Sequence, residues 1–490
     1  MTSKARSLDP NPSSRRTIVA DLESALGAEA VHDSQLDRAL YRRDASIIDT
    51  GRSGPVCLPQ TTSEVAAAVR IAHDHGLPVV ARGAGTGLAG GAIPLDGALV
   101  ISTARMTSIL SVDHQQQIAW VQPGVVNLDL SRALSGTGLH FAPDPSSQQS
   151  CTIGGNVANN SGGPHCLKLG VTSAHVMAVE VVLSDGEVVM LGGLDPDPPG
   201  YDLRGAFIGS EGTMGIATRI AVRLTTDPPA VRTMLADFTT VESAAATVSA
   251  IIAAGIVPAA IEMMDQRITQ AVEDYVGAGL PVDAAAVLLI EVDGPDAQVG
   301  ADATRVETIA LAEGARAVRV AHNEADRALL WKARKNAFGA VARVRPNYYL
   351  HDTVVPRRAL VDVMRSVYEI ADRHDLLVMN VFHAGDGNLH PLLVYDAREP
   401  GVVDRVHAAG AEIVAASLAA GGVLSGEHGI GLEKRQFMNL QFSADDLDLQ
   451  ARLRQVFDPD GSCNPGKVLP SGSSCAEIGQ LDRVPDGTWV

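Results

Sequence analysis

The sequence predicts an α+β protein with two main domains, and three observations lead to this prediction. The chain has 490 residues, which is enough for roughly two to four domains at about 100–200 residues each. The part before position 226 has strand patterns separated by glycine loops, whereas the part after position 229 alternates between strands and helices. Thr226-Asp-Pro-Pro229 lies between them, and consecutive prolines are typical of a linker. We expect a partly disordered lead over 1–35, a first domain over 36–227, a second over 228–470 and a tail over 471–490.

In the first part, short strands alternate with glycine loops. Proline, serine and charged residues dominate positions 1–20, which we expect to be disordered. Apolar residues at helical spacing, closed by Gly76, predict a helix over Thr62–Gly76. A strand over Leu77–Ala81 then enters a glycine cluster. Further strands are predicted at Ala98–Ser102, Ile118–Val121, Val176–Leu183 and Glu187–Leu191.

The second part repeats a pattern of strand, helix and strand. Such units predict a mixed α+β domain whose helices pack on one face of a sheet. The predicted segments are Thr233–Asp237, Ala244–Ala254 and Ala260–Met264; Ala286–Val292, Ala301–Leu311 and Ala317–Val320; and Tyr348–Val355, Ala359–His374 and Leu377–His383.

Composition argues against several classes of function. A net charge of −18 argues against nucleic acid or an anionic membrane surface as partner, because both need clustered positive charge. The cysteines are odd in number and scattered, which suits a reducing cytoplasm and offers neither a disulfide framework nor an internal Fe–S or zinc site. They are Cys57, Cys151, Cys166, Cys463 and Cys475.

No targeting or membrane segment is predicted. The N-terminal residues are polar and lack the apolar core of a secretory signal. The longest uncharged stretch, Ser243–Ile261, is rich in alanine and contains Pro258, so a helix followed by a strand is expected there.

The loop Arg82-Gly-Ala-Gly-Thr-Gly-Leu-Ala-Gly-Gly91 admits two interpretations. Gly85-x-Gly87-x-x-Gly90 matches the dinucleotide fingerprint of a Rossmann fold, which requires that a helix follow the loop. Pro94 and Gly97 make such a helix impossible, so the fingerprint lacks its context. The remaining interpretation is a loop of backbone N–H groups that can hold a diphosphate.

Two further glycine-rich segments accompany this loop. Pro143-Asp-Pro-Ser-Ser147 precedes Thr152-Ile-Gly-Gly-Asn-Val-Ala-Asn-Asn-Ser-Gly-Gly163, and Ile208-Gly-Ser-Glu-Gly-Thr-Met-Gly-Ile-Ala217 follows later. Three such loops in one strand-rich domain predict an extended ligand that is wrapped by backbone.

The segment Val381-Phe-His-Ala-Gly-Asp-Gly-Asn-Leu-His390 suggests a metal site. A two-residue turn at Asp386-Gly387 pairs His383 with His390, with Cβ atoms about 4.5–5.5 Å apart. Two such imidazoles can bind one ion, although an ordinary polar hairpin is an equal alternative from this segment alone. Glu427 and His428, in the glycine-flanked loop Ser425-Gly-Glu-His-Gly-Ile-Gly431, favour the metal site because charged groups are costly to bury.

At these residues the chain resembles the p-cresol-methylhydroxylase-type FAD-binding domain of the vanillyl-alcohol oxidase superfamily. Within it the chain is similar to the family of the FAD-linked (D) subunit of bacterial glycolate oxidase and its siblings, the D-lactate and D-2-hydroxyglutarate dehydrogenases, from about Leu36 to Leu469. The resemblance implies that an α+β substrate or cap domain with ferredoxin-like βαβ units follows the FAD-binding domain. It also implies contacts to FAD from Arg82, Gly83, Ala84, Gly85, Thr86, Gly87, Pro143, Asp144, Ser146, Ser147, Thr152, Gly154, Gly155, Asn156, Glu211, Gly212, Gly215, Ile216 and Asn464.

The same resemblance assigns the chemistry of the site. It implies that His383, His390 and Glu427 bind Zn²⁺ or Mn²⁺, that His428 is the base and that Arg334 meets the substrate carboxylate. Lys332 and Lys335, beside Arg334, are expected on a solvated helix face. Some members attach FAD through a histidine in the first glycine loop; this loop has none, which predicts non-covalent FAD.

The expected activity is oxidation of a small 2-hydroxy acid, glycolate or D-lactate, to the 2-oxo acid. Relatives that act on 2-hydroxyglutarate carry a lysine where this chain has Tyr348-Tyr-Leu-His-Asp352, and this departure favours a monocarboxylate. Three alternatives stay open, namely a D-2-hydroxyglutarate dehydrogenase, a non-catalytic flavin subunit of a larger complex, and an oxidase that passes electrons to O₂.

The resemblance also implies partner proteins. Because the cysteines offer no internal Fe–S relay, electrons leave through O₂, a quinone or another protein. The family pairs its flavin subunit with a second FAD-domain subunit and an Fe–S subunit. We therefore expect a cytoplasmic protein that reaches the membrane only through its partners.

Overall fold

The computed structural model describes residues 12–48, 51–195 and 198–470 and divides the chain into two compact units. The first unit combines the chain up to Ser161, Val171–Thr226 and the chain from Glu427 onward. The second combines Gly162–Gly170 and Asp227–Gly426. The expected tail over 471–490, with Cys475, lies outside the described residues.

The first unit contains two larger sheets. Its strands are Val31–His32, Ser53–Cys57, Val79–Arg82, Ala98–Ser102, Ile109–Asp113, Ile118–Val121, Leu139–His140, Val176–Val182, Val188–Gly192, Ile216–Arg223 and Thr225–Thr226. Its α-helices are Pro12–Leu26, Gln35–Tyr41, Thr62–Asp74, Asn127–Ala133, Ile153–Asn159, Leu203–Phe207, Met438–Gln441 and Ala444–Phe457. Short 3₁₀ turns lie at Ala28–Ala30, Thr103–Arg105, Thr172–Ala174 and Arg435–Phe437.

The strand Val79–Arg82 is an edge of a four-stranded sheet and leads into the first glycine loop. It pairs in parallel with Ala98–Ser102, which pairs in parallel with Ser53–Cys57. No helix lies between Val79–Arg82 and Ala98–Ser102, among residues that are all described, so the structure confirms that the Rossmann context is missing. The second sheet has five antiparallel strands, and Ile216–Arg223 is its central strand.

The expected disorder of positions 1–20 is wrong from Pro12 onward. Pro12–Leu26 is an α-helix whose Ile18 and Leu22 are buried in the same core as the helix Thr62–Asp74. These two apolar side chains are four residues apart, so they lie on one helix face. Leu26 continues this spacing and packs against the same core, whereas the helix residues before Thr17 are polar or charged apart from Pro12.

The second unit is a nine-stranded antiparallel sheet with helices. Its strands are Ala230–Phe238, Ala260–Asp265, Ala286–Gly294, Ala315–Val320, Asn347–Leu350, Thr353–Val354, Leu377–His383, Asn388–Leu389 and Pro391–Tyr395. Its α-helices are Cys166–Leu169, Val241–Ala253, Gln266–Val276, Asp296–Ala312, Glu324–Lys335, Ala337–Val341, Leu360–Arg373 and Val402–Ala419, with a 3₁₀ turn at Arg357–Ala359.

The order of the first four strands is that of a ferredoxin-like unit. Ala286–Gly294 lies between Ala230–Phe238 and Ala260–Asp265 and is antiparallel to both, while Ala315–Val320 pairs with the outer side of Ala230–Phe238. The two strands of the first βαβ element are thus separated by a third strand, as in a split βαβ fold.

The strand expected at Tyr348–Val355 is two strands. Asn347–Leu350 pairs with Pro391–Tyr395, whereas Thr353–Val354 pairs with Asn388–Leu389. The break falls at His351 and Asp352, whose side chains are both buried. Pairing with Pro391–Tyr395 therefore ends before these two polar residues, and pairing with Asn388–Leu389 begins after them.

The expected second domain, 228–470, is divided between the two units. Residues up to Gly426 lie in the second unit, and Glu427 onward lies in the first, where Asn464 N–H donates to Val79 O at 2.7 Å. Conversely, Gly162–Gly170 belongs to the second unit, where Lys168 forms an ion pair with Asp293.

No helix in the described part of the chain is both long and apolar enough to cross a membrane. The uncharged stretch Ser243–Ile261 forms most of the helix Val241–Ala253 and the start of the strand Ala260–Asp265, as the sequence predicts.

We expect alanine to be tolerated at Gly300, in the helix Asp296–Ala312, but not at Gly410, in the helix Val402–Ala419. A Cβ atom at Gly410 would lie 2.7 Å from His351 Cε1, whereas one at Gly300 meets nothing within 4 Å. We expect Gly410→Ala to lower stability, since overpacking of about 1–3 kcal/mol exceeds a helix gain of about 0.5–1 kcal/mol. Gly300→Ala, the matched control, should raise it. Calorimetry checks both, and an equal rise in both melting temperatures would contradict the packing of His351.

Candidate active site

The first unit contains a cavity where the three glycine-rich segments meet. Seven residues that the sequence assigned to the cofactor line it, namely Arg82, Gly83, Gly154, Gly155, Gly212, Gly215 and Ile216. Eight others line it too, namely Ala81, Thr103, Pro123, Val157, Ala158, Phe207, Ser210 and Ala217. Four of the second group, Val157, Ala158, Ser210 and Ala217, lie within the quoted glycine-rich segments, whereas the other four are outside any motif.

Glycines let the backbone segments around this cavity approach one another. A Cβ atom at Gly83 would lie 2.5 Å from Thr152 Oγ1, and one at Gly154 would lie 2.5 Å from Pro123 Cβ. Thr152 begins the helix Ile153–Asn159, and its hydroxyl accepts a hydrogen bond from Gly155 N–H. The spacing of these glycines is therefore set by contacts between neighbouring loops.

Three polar side chains of the same region carry buried atoms that have no hydrogen-bond partner within the described protein. They are Arg82 Nη1, both amide atoms of Asn156, and Ser210 Oγ. Buried polar groups are normally paired, because an unpaired group costs about 1–3 kcal/mol. A ligand with phosphate, ribityl and ring polar atoms fits these donors and acceptors, which is the chemistry of FAD.

Glu211 and Asn464 hold the chain in place beside the cavity. The Glu211 carboxylate accepts from the backbone N–H groups of Ile430 and Gly431 at 2.6 and 2.7 Å. Asn464 Nδ2 donates to Glu211 O and Gly91 O. Burial raises the pKa of Glu211 to about 7, although the two backbone amides act in the opposite direction.

The other assigned residues of the first unit do not line the cavity. Ala84, Gly85, Thr86 and Gly87 continue the loop after Arg82, and Gly85, at φ +72°, has no Cβ atom that would collide with the Arg82 guanidinium. Pro143, Asp144, Ser146 and Ser147 form a separate turn, in which Pro143 O accepts from Asn127 Nδ2 at 2.8 Å.

In the second unit, His383 and His390 are buried and adjacent, but the predicted pairing between them is wrong. His383 pairs with Asn388, because Ala384–Gly387 forms a four-residue loop and not a two-residue turn. The register places His390 on the same face as His383, displaced diagonally by two residues. The ring centroids are 5.1 Å apart, and the ligand nitrogens lie within 4.8 Å of each other.

Glu262, for which the sequence predicts no role, lies directly opposite His383 on the strand Ala260–Asp265. Its Oε1 is 2.8 Å from His383 Nδ1, and its Oε2 is 2.5 Å from Arg334 Nη2. Burial opposes ionisation of Glu262, but the charges of Arg334 and the two histidines hold the pKa of this carboxyl below its usual value.

Arg334 is buried within the helix Glu324–Lys335, whereas Lys332 is exposed and Lys335 is half-buried. A guanidinium has five N–H donors, so the ion pair with Glu262 leaves capacity for a second carboxylate. Arginine at this position therefore fits the expected recognition of a substrate acid.

Asp352 is a second buried carboxylate to which the sequence assigns no role. It accepts from Ser425 Oγ at 2.6 Å and from Gly426 N–H at 3.0 Å, and its Oδ1 is 3.5 Å from His390 Nε2. It fixes the backbone at Gly426, the residue before Glu427 in the chain.

Glu427 and His428 are mostly buried residues of the first unit. Glu427 Oε1 is 3.8 Å from His428 Nε2, and His428 O accepts from Asn159 Nδ2 at 2.8 Å. Imidazole and carboxylate donors of the kind found at His383, His390 and Glu427 suit Zn²⁺ or Mn²⁺, so the residue types fit the expected ion.

Comparison with known proteins identifies the family. Residues 227–468 match the C-terminal domain of FAD linked oxidases, and residues 55–192 match an FAD binding domain. The chain is 44% identical to the glycolate oxidase subunit GlcD of Escherichia coli K12, over 96% of this chain and 94% of the relative. The chain belongs to the FAD-linked oxidases. Family members also include a D-lactate dehydrogenase of Anaerostipes hadrus, 31% identical over 93% of this chain and 94% of that protein.

Solved structures support the fold of this FAD-linked oxidase. p-Cresol methylhydroxylase superposes with a TM-score of 0.80 at 15% identity, covering 93% of this chain and 97% of that one. A 4-ethylphenol oxidase of Gulosibacter chungangensis gives 0.79 at 20% identity, covering 94% and 98%. The p-cresol-methylhydroxylase type of fold expected from the sequence is confirmed.

Replacement of Glu211 should loosen the segment that it holds. In Glu211→Gln, the side-chain NH₂ group would face one of two backbone N–H donors, and the unpaired group costs about 1–3 kcal/mol. We expect faster hydrogen exchange at Ile430 and Gly431, measured by mass spectrometry on peptides of the full chain. The exposed Glu187→Gln is the charge-matched control. Unchanged exchange in the Glu211 variant would contradict the role of this carboxylate.

Proposed function

We propose that the protein oxidises a small 2-hydroxy acid, glycolate or D-lactate, to the 2-oxo acid in an FAD-dependent reaction. The observation that carries this proposal is the buried array of His383, His390, Glu262 and Arg334 in a chain whose relatives include glycolate oxidase subunits and D-lactate dehydrogenases. It combines metal-binding imidazoles with a cation for a carboxylate.

We further propose that the cavity of the first unit holds FAD without a covalent bond. FAD, when bound, supplies the acceptor for the hydride of the substrate Cα. Arg82, Asn156 and Ser210 would pair their buried polar atoms with it, and the glycines that line the cavity would let the backbone come close. The first glycine loop contains no histidine, which supports dissociable binding.

His383, His390 and Glu427 would hold a divalent ion, Zn²⁺ or Mn²⁺. Such an ion, when bound, supplies Lewis acidity that lowers the pKa of a substrate hydroxyl. Glu262 supports the proposal because its hydrogen bond to His383 Nδ1 directs the other ring nitrogen, Nε2, toward a ligand. Asp352 supports it by fixing the backbone that leads into Glu427.

His428 would take the hydroxyl proton at a ring nitrogen, and Arg334 would bind the substrate carboxylate. Histidine suits the proton transfer because its ordinary pKa lies near neutrality. Arginine suits the carboxylate because its planar fork can donate two parallel hydrogen bonds.

We propose a small monocarboxylate as the substrate, in preference to a dicarboxylate, because of the residues at 348–352. Tyr348 is half-buried, and Tyr349 packs edge-on against His351 with ring centroids 4.3 Å apart. This strand therefore carries two tyrosines in the segment where a dicarboxylate-binding relative would carry a lysine.

We also propose that the protein works in the cytoplasm as one subunit of a larger assembly, with a second FAD-domain subunit and an Fe–S subunit. Support comes from relatives that are themselves described as subunits of glycolate oxidase. The four cysteines in the described residues, Cys57, Cys151, Cys166 and Cys463, form no disulfide with one another and are distributed over both units.

Anaerobic flavin reduction tests the substrate class directly. The purified protein is mixed without O₂ with glycolate, D-lactate, L-lactate or D-2-hydroxyglutarate, and flavin absorbance is followed. We expect the fastest reduction with glycolate or D-lactate, because the array has one cation suited to a substrate carboxylate. Much faster reduction by D-2-hydroxyglutarate would contradict the assignment.

A variant series locates the chemistry in the same experiment. His428→Ala should slow reduction by about 10²–10⁴-fold, the usual contribution of a general base. His374→Ala is the control, because His374 pairs with Glu412 on another part of the second unit. Equal rates in both variants and the parent protein would exclude His428 as the base.

Acid precipitation tests the binding mode of FAD. We expect all of the flavin in the supernatant, because no residue of the first glycine loop can form the covalent link. Absorbance of the supernatant at the flavin maximum measures the released fraction. A yellow protein pellet would show a covalent attachment elsewhere in the chain.

A further inference from the structure

Glu262 occupies an unusual place for a carboxylate, in the interior of the sheet of the second unit. Its strand, Ala260–Asp265, is paired on both sides, with Ala286–Gly294 and with Leu377–His383. The residue is 1% exposed, and apolar residues precede and follow it along the strand. A buried charge at such a position is costly unless it is paired and hydrogen-bonded.

The two oxygens of Glu262 contact two different elements. Oε1 lies 2.8 Å from Nδ1 of His383, which is the last residue of its strand. Oε2 lies 2.5 Å from Nη2 of Arg334, which is on the helix Glu324–Lys335. One side chain thus sets the ring orientation of a histidine and the position of a guanidinium at the same time.

We propose that Glu262 is a positioning residue that couples the substrate-binding cation to the metal-binding histidine. This inference rests on the proposed function, because it takes His383 as a metal ligand and Arg334 as the carboxylate receptor. With Nδ1–H donating to Glu262, His383 presents Nε2 as a lone-pair donor. The same carboxylate keeps Arg334 within a fixed distance of that ligand, so metal and substrate meet a preformed geometry.

Glu291 provides a matched comparison on the neighbouring strand. It is also buried at 2% exposure, and it forms an ion pair with Arg327 of the same helix that carries Arg334. Its other contacts are Thr233 and Trp331, and His165 lies at 3.5 Å. Both glutamates therefore join the sheet to one helix, but only Glu262 contacts a histidine of the proposed metal site.

The test compares zinc affinity in the full-length flavoprotein and in two variants, Glu262→Gln and Glu291→Gln. Zn²⁺ binding is measured by competition with a chromophoric chelator, which does not depend on activity. We expect Glu262→Gln to bind Zn²⁺ about 10–100-fold more weakly, the usual effect of losing such an outer hydrogen bond. Glu291→Gln should bind Zn²⁺ as the parent protein does.

Each outcome decides between the coupling and a purely structural role. Equal loss of zinc affinity in both variants would overturn the inference. Any buried ion pair between the sheet and this helix would then be enough to maintain zinc binding, without contact to a metal-binding histidine. Parent-like zinc affinity in Glu262→Gln would also overturn the coupling role of Glu262. In that case the proposed metal site would still stand, because the parent protein binds Zn²⁺. Absence of Zn²⁺ binding in the parent would overturn both.

A shorter side chain keeps the test decisive if Glu262→Gln does not fold. Glu262→Asp retains the negative charge beside Arg334 but is one methylene shorter, so it cannot reach both partners. We expect the melting temperature of Glu262→Asp to be closer to that of the parent than the melting temperature of Glu262→Gln is. We also expect Glu262→Asp to bind Zn²⁺ more weakly than the parent does. Parent-like zinc affinity in Glu262→Asp would overturn the inference.

Discussion

The arrangement of the second unit depends on one buried carboxylate that neutralises an arginine and accepts a hydrogen bond from a histidine. Removing Arg334 would leave Glu262 as an uncompensated charge in the sheet, which typically costs several kcal/mol, and removing His383 would leave one buried carboxylate oxygen without its hydrogen bond. The strand register that sets Glu262 opposite His383 is therefore under strong constraint. This register places His383 beside Glu262, and the ion pair with Glu262 holds Arg334 on its helix near the same point.

Two other carboxylates fix the chain on either side of Glu427 and His428. In the second unit, Asp352 accepts from Gly426 N–H, and in the first unit Glu211 accepts from Ile430 and Gly431 N–H. Backbone amides held by carboxylates have little freedom, because charge-assisted hydrogen bonds are about twice as strong as neutral ones. The short segment between these anchors carries the proposed ligand and the proposed base.

Much of this organisation could be predicted from local patterns. The glycine loop after Leu77–Ala81 could be separated from a Rossmann loop because Pro94 and Gly97 exclude a following helix. Each of the nine segments predicted in the second unit overlaps an observed strand or helix, although the strand expected at Tyr348–Val355 is two strands and the helices Gln266–Val276 and Val402–Ala419 are additional. Metal chemistry could be expected from the residue types at His383, His390 and Glu427, because imidazole and carboxylate groups are common ligands of divalent ions.

Other features depend on contacts between distant residues, which local patterns do not contain. The predicted hairpin register is wrong because a four-residue loop and a two-residue turn contain the same Asp386-Gly387 signal. The role of Glu262 could not be predicted because one glutamate in an apolar strand carries no motif. The helix Pro12–Leu26 was missed because its N-terminal half is polar, and the apolar residues that mark its packed face pack against a distant partner, the helix Thr62–Asp74.

Anomalous diffraction from crystals grown with Zn²⁺, measured on both sides of the zinc absorption edge, tests the central claim most directly. We expect one strong peak about 2.0–2.1 Å from the Nε2 atom of His383 and from a ring nitrogen of His390. We also expect His383 Nδ1 to keep its hydrogen bond to Glu262 in that crystal. Zinc bound elsewhere, with both hairpin histidines unligated, would contradict it.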